Sequence, residues 1–379
     1  MCFAGLVRDI SVLAVGDGAC SVVREFHGDD DPSNRTAIID CGSRSPGAVS
    51  AAHLLRHHLS CADWRSLSEL VITHFDADHW EGLLRLAEGA PPGSSDAPPR
   101  LPVYFPAVPF NVDRRLPASL MAFITAADHF GVQAMDLRAS WRTLTRLEFR
   151  PLAKGARFPL AGRLHDVVWP PPYLDDQRTR RLDALVQQID AEAELLAKQG
   201  HQRLQQSLSE TYRNSPYNRH LDELNAADSR DFRNPFPLAE GEEEPWNVRP
   251  DDPSDPAIPS EWADRRGFKN LVRRARAAQN DLSLVFHDPE RASLLVFGDA
   301  PLYVVERVSD ELSSHTYKVA LAPHHGSRKV PDNIPTAEFC VSQQGRLLQR
   351  CWHYHWKSHV NSGNCHNTLY DGPIVQPLL

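Results

Sequence analysis

The chain has 379 residues, 41% apolar and 24% charged, which is ordinary for a globular protein with a large core of one elaborated domain or two. A formal net charge of −8 speaks against the basic footprint of a long-duplex binder, and no run approaches the roughly 18 apolar residues of a membrane span. The opening "MCFAGLVRDISVLAVGDG" lacks the basic start and clean apolar run of a secretion signal. Seven cysteines without a framework of spacings suit a reducing cytoplasm.

Residues 7–49 read as strand, turn and strand: "ISVLAV", a Gly-Asp-Gly turn, an apolar run, then "RTAIIDCGS", a short strand ending at Asp40 and Gly42. Residues 51–62 carry a helical pattern. "SELVIT" reads as a buried strand with His74 at its carboxyl end, and "HWEGLLRLAEG" as a helix closed by Gly89. Proline and glycine punctuate 90–117, leaving "PVYFPA" as a strand; a helix is expected over 118–131, then short strands to "LHDVVWPPP". Residues 175–232 are polar with apolar positions at helical spacing, and "NPFPLAEGEEEPWNVRPDDPSDPAIPSEW" is acidic and Pro-rich, the composition of a long loop or disordered segment. Strands resume with "DLSLVFHD", "ASLLVFGDA" and "YKVALAPHHGS". Residues 1–172 and 280–379 therefore read as two halves of one layered α/β domain. Residues 173–279 form a helical and acidic insertion, a lid or a partner surface.

"LVITHFDADHWEGL" places His74, Asp76, Asp78 and His79 within six residues. A strand ends, the chain turns, and a helix begins near His79. Alternate side chains then point the same way while the turn folds the Asp78–His79 pair back, so one loop can serve two adjacent cations. Helix capping accounts for one aspartate, but not for two histidines after an apolar strand. Two further apolar strands end in ligand types, one at Asp299 and one at His324-His325-Gly326-Ser327. Each alone is a common turn; together the three are expected to converge on one edge of a sheet, with Asp299 placed to bridge two cations.

"THFDADHWEGL" resembles the metallo-β-lactamase signature Thr-His-x-His-x-Asp-His-x-x-Gly, with Asp76 where that pattern has its second histidine. The variant, together with "VLAVGDGAC", "AIIDCGS", "VVWPPP", "NDLSLVF", "LVFGDA" and "HHGS" in that order, is similar to the ComEC-like branch, the hydrolase domain of DNA-uptake channels. The likeness covers roughly residues 10–172 and 280–330. Asp17 stands where that branch has glutamine in the first turn, and 175–279 replaces a short loop. No membrane helices accompany the pattern, so it implies a soluble relative.

The resemblance implies a four-layer αββα sandwich and two divalent cations. His74 and Asp76 would hold one, Asp78 and His79 the other, with Asp299 bridging and His325 completing the second site. Exchanging a histidine for Asp76 enriches the oxygen donors, which ranks Mn²⁺ level with Zn²⁺ and admits Mg²⁺. Such a pair lowers the pKa of a bridging water, suiting phosphodiester hydrolysis. Asp78 would orient the nucleophile and His324 protonate the leaving group. Asp40 and Asn280 would support ligands from behind, and Arg273, Arg274 and Ser327 would meet the substrate.

The expected function is a two-metal phosphodiesterase or nuclease. Its rivals are a hydrolase of small esters, thioesters or amides, and a partner-regulated effector docking through residues 175–262. Net acidity and the lack of an aromatic stacking platform favour a small substrate over long nucleic acid. The arginine-rich runs 177–181 and 264–278 read either as solvated helix faces or, for the second, as phosphate-binding cations at the rim. A C-terminal group, Cys351, His353, His355, His359, Cys365 and His366, fits no standard zinc spacing. Trp352 and Trp356 there are expected to pack on a sheet.

Overall fold

A computed structural model describes residues 7–28, 31–44, 50–87, 98, 100–127, 137–202, 204–206, 208–209, 262, 264–345 and 365–378. Two seven-stranded sheets face each other. The first contains β1 (Val7–Val12), β2 (Cys20–Phe26), β3 (Arg35–Cys41), β4 (Leu67–Val71), β5 (Arg100–Pro106), β6 (Arg146–Leu152) and β14 (Ile374–Pro377), in the order β14-β1-β2-β3-β4-β5-β6. The second contains β7 (Arg157–Leu160), β8 (Arg163–Trp169), β9 (Val285–His287), β10 (Leu294–Val296), β11 (Thr316–Leu321), β12 (Thr336–Ser342) and β13 (Cys365–Asn367), in the order β13-β12-β11-β10-β9-β8-β7.

Strand alternation sorts the apolar side chains into layers. Ile38 and Leu70 point outward, while their neighbours Ile39 and Val71 point into the space between the sheets. There they meet Phe158, Val167, Phe286, Val296, Val319 and Leu321 of the second sheet. The outer face of the first sheet packs on α1 (Ala51–His58), α2 (Cys61–Arg65), α3 (Ala77–Leu86) and α5 (Leu137–Trp141) through Leu55, Trp64, Leu83 and Trp141. The outer face of the second packs on α8 (Leu302–Ser309) through Val304, Val305 and Val308. This is the αββα sandwich expected; each fully buried Val, Leu, Ile or Phe contributes about 1.5–3 kcal/mol.

β3 through β6 run parallel, as do β10 through β13. The carboxyl ends of β3 and β4 in one sheet and of β10 and β11 in the other meet at one end of the sandwich. Convergence on one edge of a single sheet is thus corrected: the ligand loops come from both sheets. A backbone bond from Leu284 N–H to the Thr73 carbonyl (2.7 Å) ties the sheets at that end.

A second correction concerns Asn280. The strand expected from this residue begins only at Val285, because α7 (Arg266–Asp281) continues its apolar stripe of Phe268, Leu271, Ala275 and Ala278 through to Asn280 and Asp281. That stripe packs with α4 (Leu116–Ala127) and α6 (Asp176–Lys198), whose Leu182, Leu185, Val186, Ile189, Ala193 and Leu196 are buried in the same cluster. The apolar face of α6 is therefore covered by the chain itself. Gly89, residues 128–131, most of the acidic Pro-rich segment, Cys351, Trp352, His353, His355, Trp356 and His359 lie outside the described residues. Cys365 and His366 are on β13, and His366 stacks on Phe339. Among the described residues no helix is long and apolar enough to cross a membrane, and the five described cysteines are free.

Candidate metal centre

β4 ends at Val71 and α3 begins at Ala77, so His74 leaves the strand while Asp78 and His79 ride the first turn of the helix. Asp76 occupies the N-cap position but makes no capping hydrogen bond. Its carboxylate instead accepts from Arg44, at 2.5 Å. The tight approach of α3 to the loop after β3 requires Gly42: a Cβ there would lie 2.4 Å from the Ala77 carbonyl oxygen and 2.6 Å from His79 N. The Ala19 N–H donates to the Asp78 carbonyl (2.9 Å), fixing the turn from a third side.

On the opposite sheet, the loop after β10 presents Asp299, and a short 3-10 turn (Pro323–Gly326) after β11 presents His324 and His325. His324, His325 and Gly326 have φ of 48°, 58° and 76°, three consecutive left-handed residues. Non-glycine residues rarely adopt that region, and they do so chiefly where a site demands it. The turn is held by the His324 N–H on the Gly298 carbonyl (2.9 Å). Gly326 is sterically required, since a Cβ would meet the Ser342 hydroxyl at 2.3 Å.

The side chains meet in two overlapping clusters: His74, His79 and Asp299, and Asp78, His79 and His325. His79 Nε2 stands 3.2 Å from Asp299 Oδ1 and 3.2 Å from His325 Nε2. His325 Nε2 lies 3.6 Å from Asp78 Oδ2 and 3.5 Å from Asp299 Oδ1, and His74 Nε2 lies 3.9 Å from Asp299 Oδ2. Behind them Asp40, itself left-handed (φ 55°), accepts from the Thr73 amide and hydroxyl (both 2.7 Å) and from His79 Nδ1–H (2.8 Å). That bond fixes His79 with Nε2 toward the cluster. His324 donates from Nδ1 to Asp299 Oδ2 (2.8 Å), with the Asn280 amide 3.3 Å from the same nitrogen.

Burial and the neighbouring His79 hold His74 well below the ordinary imidazole range, so it is neutral and its buried Nε2 has no hydrogen-bond partner. Burial opposes charge on His79 and His325, but Asp299 with Asp40 in the first case and Asp78 in the second raises both. Burial likewise opposes charge on Asp78 and Asp299; Arg44 with His325 and His79 nevertheless holds Asp78, and His325, His324 and His79 hold Asp299, below the ordinary carboxylate range. Asp78 Oδ1 and Asp299 Oδ1 are, like His74 Nε2, buried without a hydrogen-bond partner. Buried polar atoms are paired in the great majority of cases. Orphaned ligand atoms on a neutral His74 and on two ionised carboxylates, set within two overlapping His/Asp clusters, fit divalent-cation binding, which would give the buried ligand set its partner.

The centre floors a cleft of about 580 Å³. Arg44, Lys269, Arg273, Arg276 and Arg328 line it, with Asp17, Asp76 and Asn280. Arg273 thus lies on the wall. Arg274 does not: it turns to Gln188 of α6 (2.5 Å), and Ser327 turns back to the His324 carbonyl (2.7 Å). Lys269 and Arg276 belong to the arginine-rich run 264–278 that reads either as a solvated face or as rim cations, though neither is singled out there; Arg44 and Arg328 lie outside that run. Lys269, Arg273, Arg276 and Asn280 were open to detection as an i, i+4, i+7, i+11 stripe opposite the apolar one; Arg44 and Arg328, lone cations in loops, carried no signal.

No family model matches the chain, and no curated protein matches it. Among solved structures, the metallo-beta-lactamase fold protein YhfI from Bacillus subtilis is similar at 12% identity, over 42% of this chain and 52% of that one, with a TM-score of 0.24. The chain thus spans about half the length of that protein. So small a common backbone carries no functional weight, and the chemistry rests on the side chains described above.

Proposed function

We propose that this chain is a metal-dependent phosphodiesterase. The observation that carries the reading is the cleft itself: a buried His/Asp floor with unpartnered ligand atoms, walled by five cationic side chains. His74, Asp78, His79, Asp299 and His325 would hold the cations, Mn²⁺ or Zn²⁺, with Asp76 joining when free. A histidine nitrogen ligates one cation, so His79 serves one cluster at a time. When bound, the metal supplies an activated water and Lewis-acid stabilisation of the phosphoryl oxygens.

The protein's own groups do the rest. Arg273 and Arg276 would bind the phosphate, where guanidinium donors match phosphate oxygens better than ester or amide carbonyls. Asp78 would orient the attacking water. His324, held through Nδ1 by Asp299 and 21% exposed, leaves Nε2 to face the leaving oxygen, to which the ring would pass a proton when both nitrogens carry one. α7 and Ala127 of α4 wall the cleft, with α6 packed behind α7, a roof that would exclude bulk water and favours the helical part of the insertion as lid over docking surface. The cleft volume favours a small diester or a strand end over a duplex.

The test is Mn²⁺-dependent cleavage of bis(p-nitrophenyl) phosphate by the full chain. Activity lost in Asp78→Ala supports the reading. Absence of cleavage with Mn²⁺, Zn²⁺ and Mg²⁺ alike would overturn it and turn attention to esters and amides.

A further inference from the structure

Arg44 stands where it can decide how the centre is filled. Its Nη2 donates to Asp76 Oδ1 at 2.5 Å and lies 3.5 Å from Asp78 Oδ1. Its backbone is pinned by the Arg44 N–H on the Asp17 carbonyl (2.8 Å), and the preceding Ser43 hydroxyl donates to the Val15 carbonyl (2.6 Å). The guanidinium reaches the carboxylates from the cleft wall: its side chain is 25% exposed, against 6% for Asp76 and 11% for Asp78. Asp76 is held by this cation and belongs to neither cluster of converging ligand atoms, although it sits two residues from His74.

We propose that Arg44 is a built-in counter-cation that makes metal loading stepwise and couples the second step to the substrate's phosphate; this rests on the phosphodiesterase reading. A carboxylate bound to a guanidinium must give up a charge-assisted hydrogen bond before it ligates a metal. The incoming cation also meets a fixed positive charge. Together these weaken the His74–Asp76 position by about ten- to a hundredfold relative to the Asp78–His79–His325 position. A phosphate in the cleft offers the same guanidinium a bidentate partner. Arg44 then turns from Asp76 to phosphate, and Asp76 becomes available as a ligand. Linkage makes the effect reciprocal: phosphate tightens the second metal by the factor by which the second metal tightens phosphate.

The experiment is calorimetric titration of the full chain with Mn²⁺, alone and with diethyl phosphate, a diester analogue too inert to turn over. Wild type is expected to show one tight step and a second at least tenfold weaker, the second tightened by diethyl phosphate. Arg44→Gln should bring the two steps together and abolish the diethyl phosphate effect, while Arg44→Lys, which keeps the charge, should keep the steps apart. Asp76→Asn should remove the weak step and leave the tight one within about threefold. Two equal steps in wild type, or an Arg44→Gln protein of unchanged melting temperature that still binds stepwise, would overturn the proposal. So would loss of the tight step in Asp76→Asn. Failure of the phosphodiesterase reading shows separately, as intact stepwise binding with no cleavage of bis(p-nitrophenyl) phosphate.

Discussion

His79 joins the two sheets through its two nitrogens, one on Asp40 and the other facing Asp299 and His325. Replacing it by alanine is expected to reduce Mn²⁺ affinity more than any other single ligand change, because both clusters share it; calorimetry checks this. Asp40→Asn keeps the shape but loses the charge that orients the imidazole. Metal affinity is expected to fall about ten- to a hundredfold, with the fold intact by circular dichroism. These positions were legible because strand ends and a dense His/Asp loop announce themselves. Arg44 was not: a single arginine two residues after a glycine has no periodicity, and its meaning comes from facing Asp76 across a gap of 32 residues in sequence.

At the scale of elements, close backbone approach matters as much as ligand choice. Gly42→Ala would drive a methyl into the first turn of α3, so a loss of about 1–3 kcal/mol by denaturant unfolding is expected, together with weakened metal binding. The start of α2 shows a separate electrostatic dependence. Ser60 and Asp63 form a capping box, and Arg24 binds the same carboxylate at 2.7 Å. Burial would raise Asp63, but the Arg24 bond and charge and the Ser60 bonds hold it below its ordinary 3.8. A carboxyl lowered by folding stabilises fully above its unfolded value and loses that contribution as pH falls through the folded one. The stability advantage of wild type over Asp63→Asn should therefore be constant near neutrality, begin to fall near about pH 4 and be gone only below the depressed folded value; urea titrations across pH measure it. The capping box was written in sequence as Ser-x-x-Asp. Its third partner, 39 residues away, was not.

Across the whole molecule, β4 with its loop belongs to one sheet and Asp299, His324 and His325 to the other, so residues of both sheets would hold a cation. Metal at a hundredfold over its dissociation constant should stabilise the fold by about 2.7 kcal/mol. A chelator should lower the melting temperature of wild type, but far less that of Asp78→Ala. The roof makes a matching case for the cleft. Exchanging Arg273 and Arg276 together for glutamine should raise KM for phosphodiesters at least tenfold with a smaller change in kcat, since phosphate is held in ground and transition state alike.

By itself the sequence determined the strand-ended ligand loops, the layered α/β class and the amphipathic helices. All of these are local patterns, set by residue period and turn chemistry. It also placed a cationic run next to the site. Only the tertiary structure decided that the ligand loops come from two sheets, that α7 runs on through Asn280, that Arg274 turns away while Arg276 faces the cleft, and that Asp76 is engaged by Arg44. The reason is physical. Which face of a helix is covered, and which charge a loop cation meets, depend on partners distant in the chain, and no local spacing encodes them.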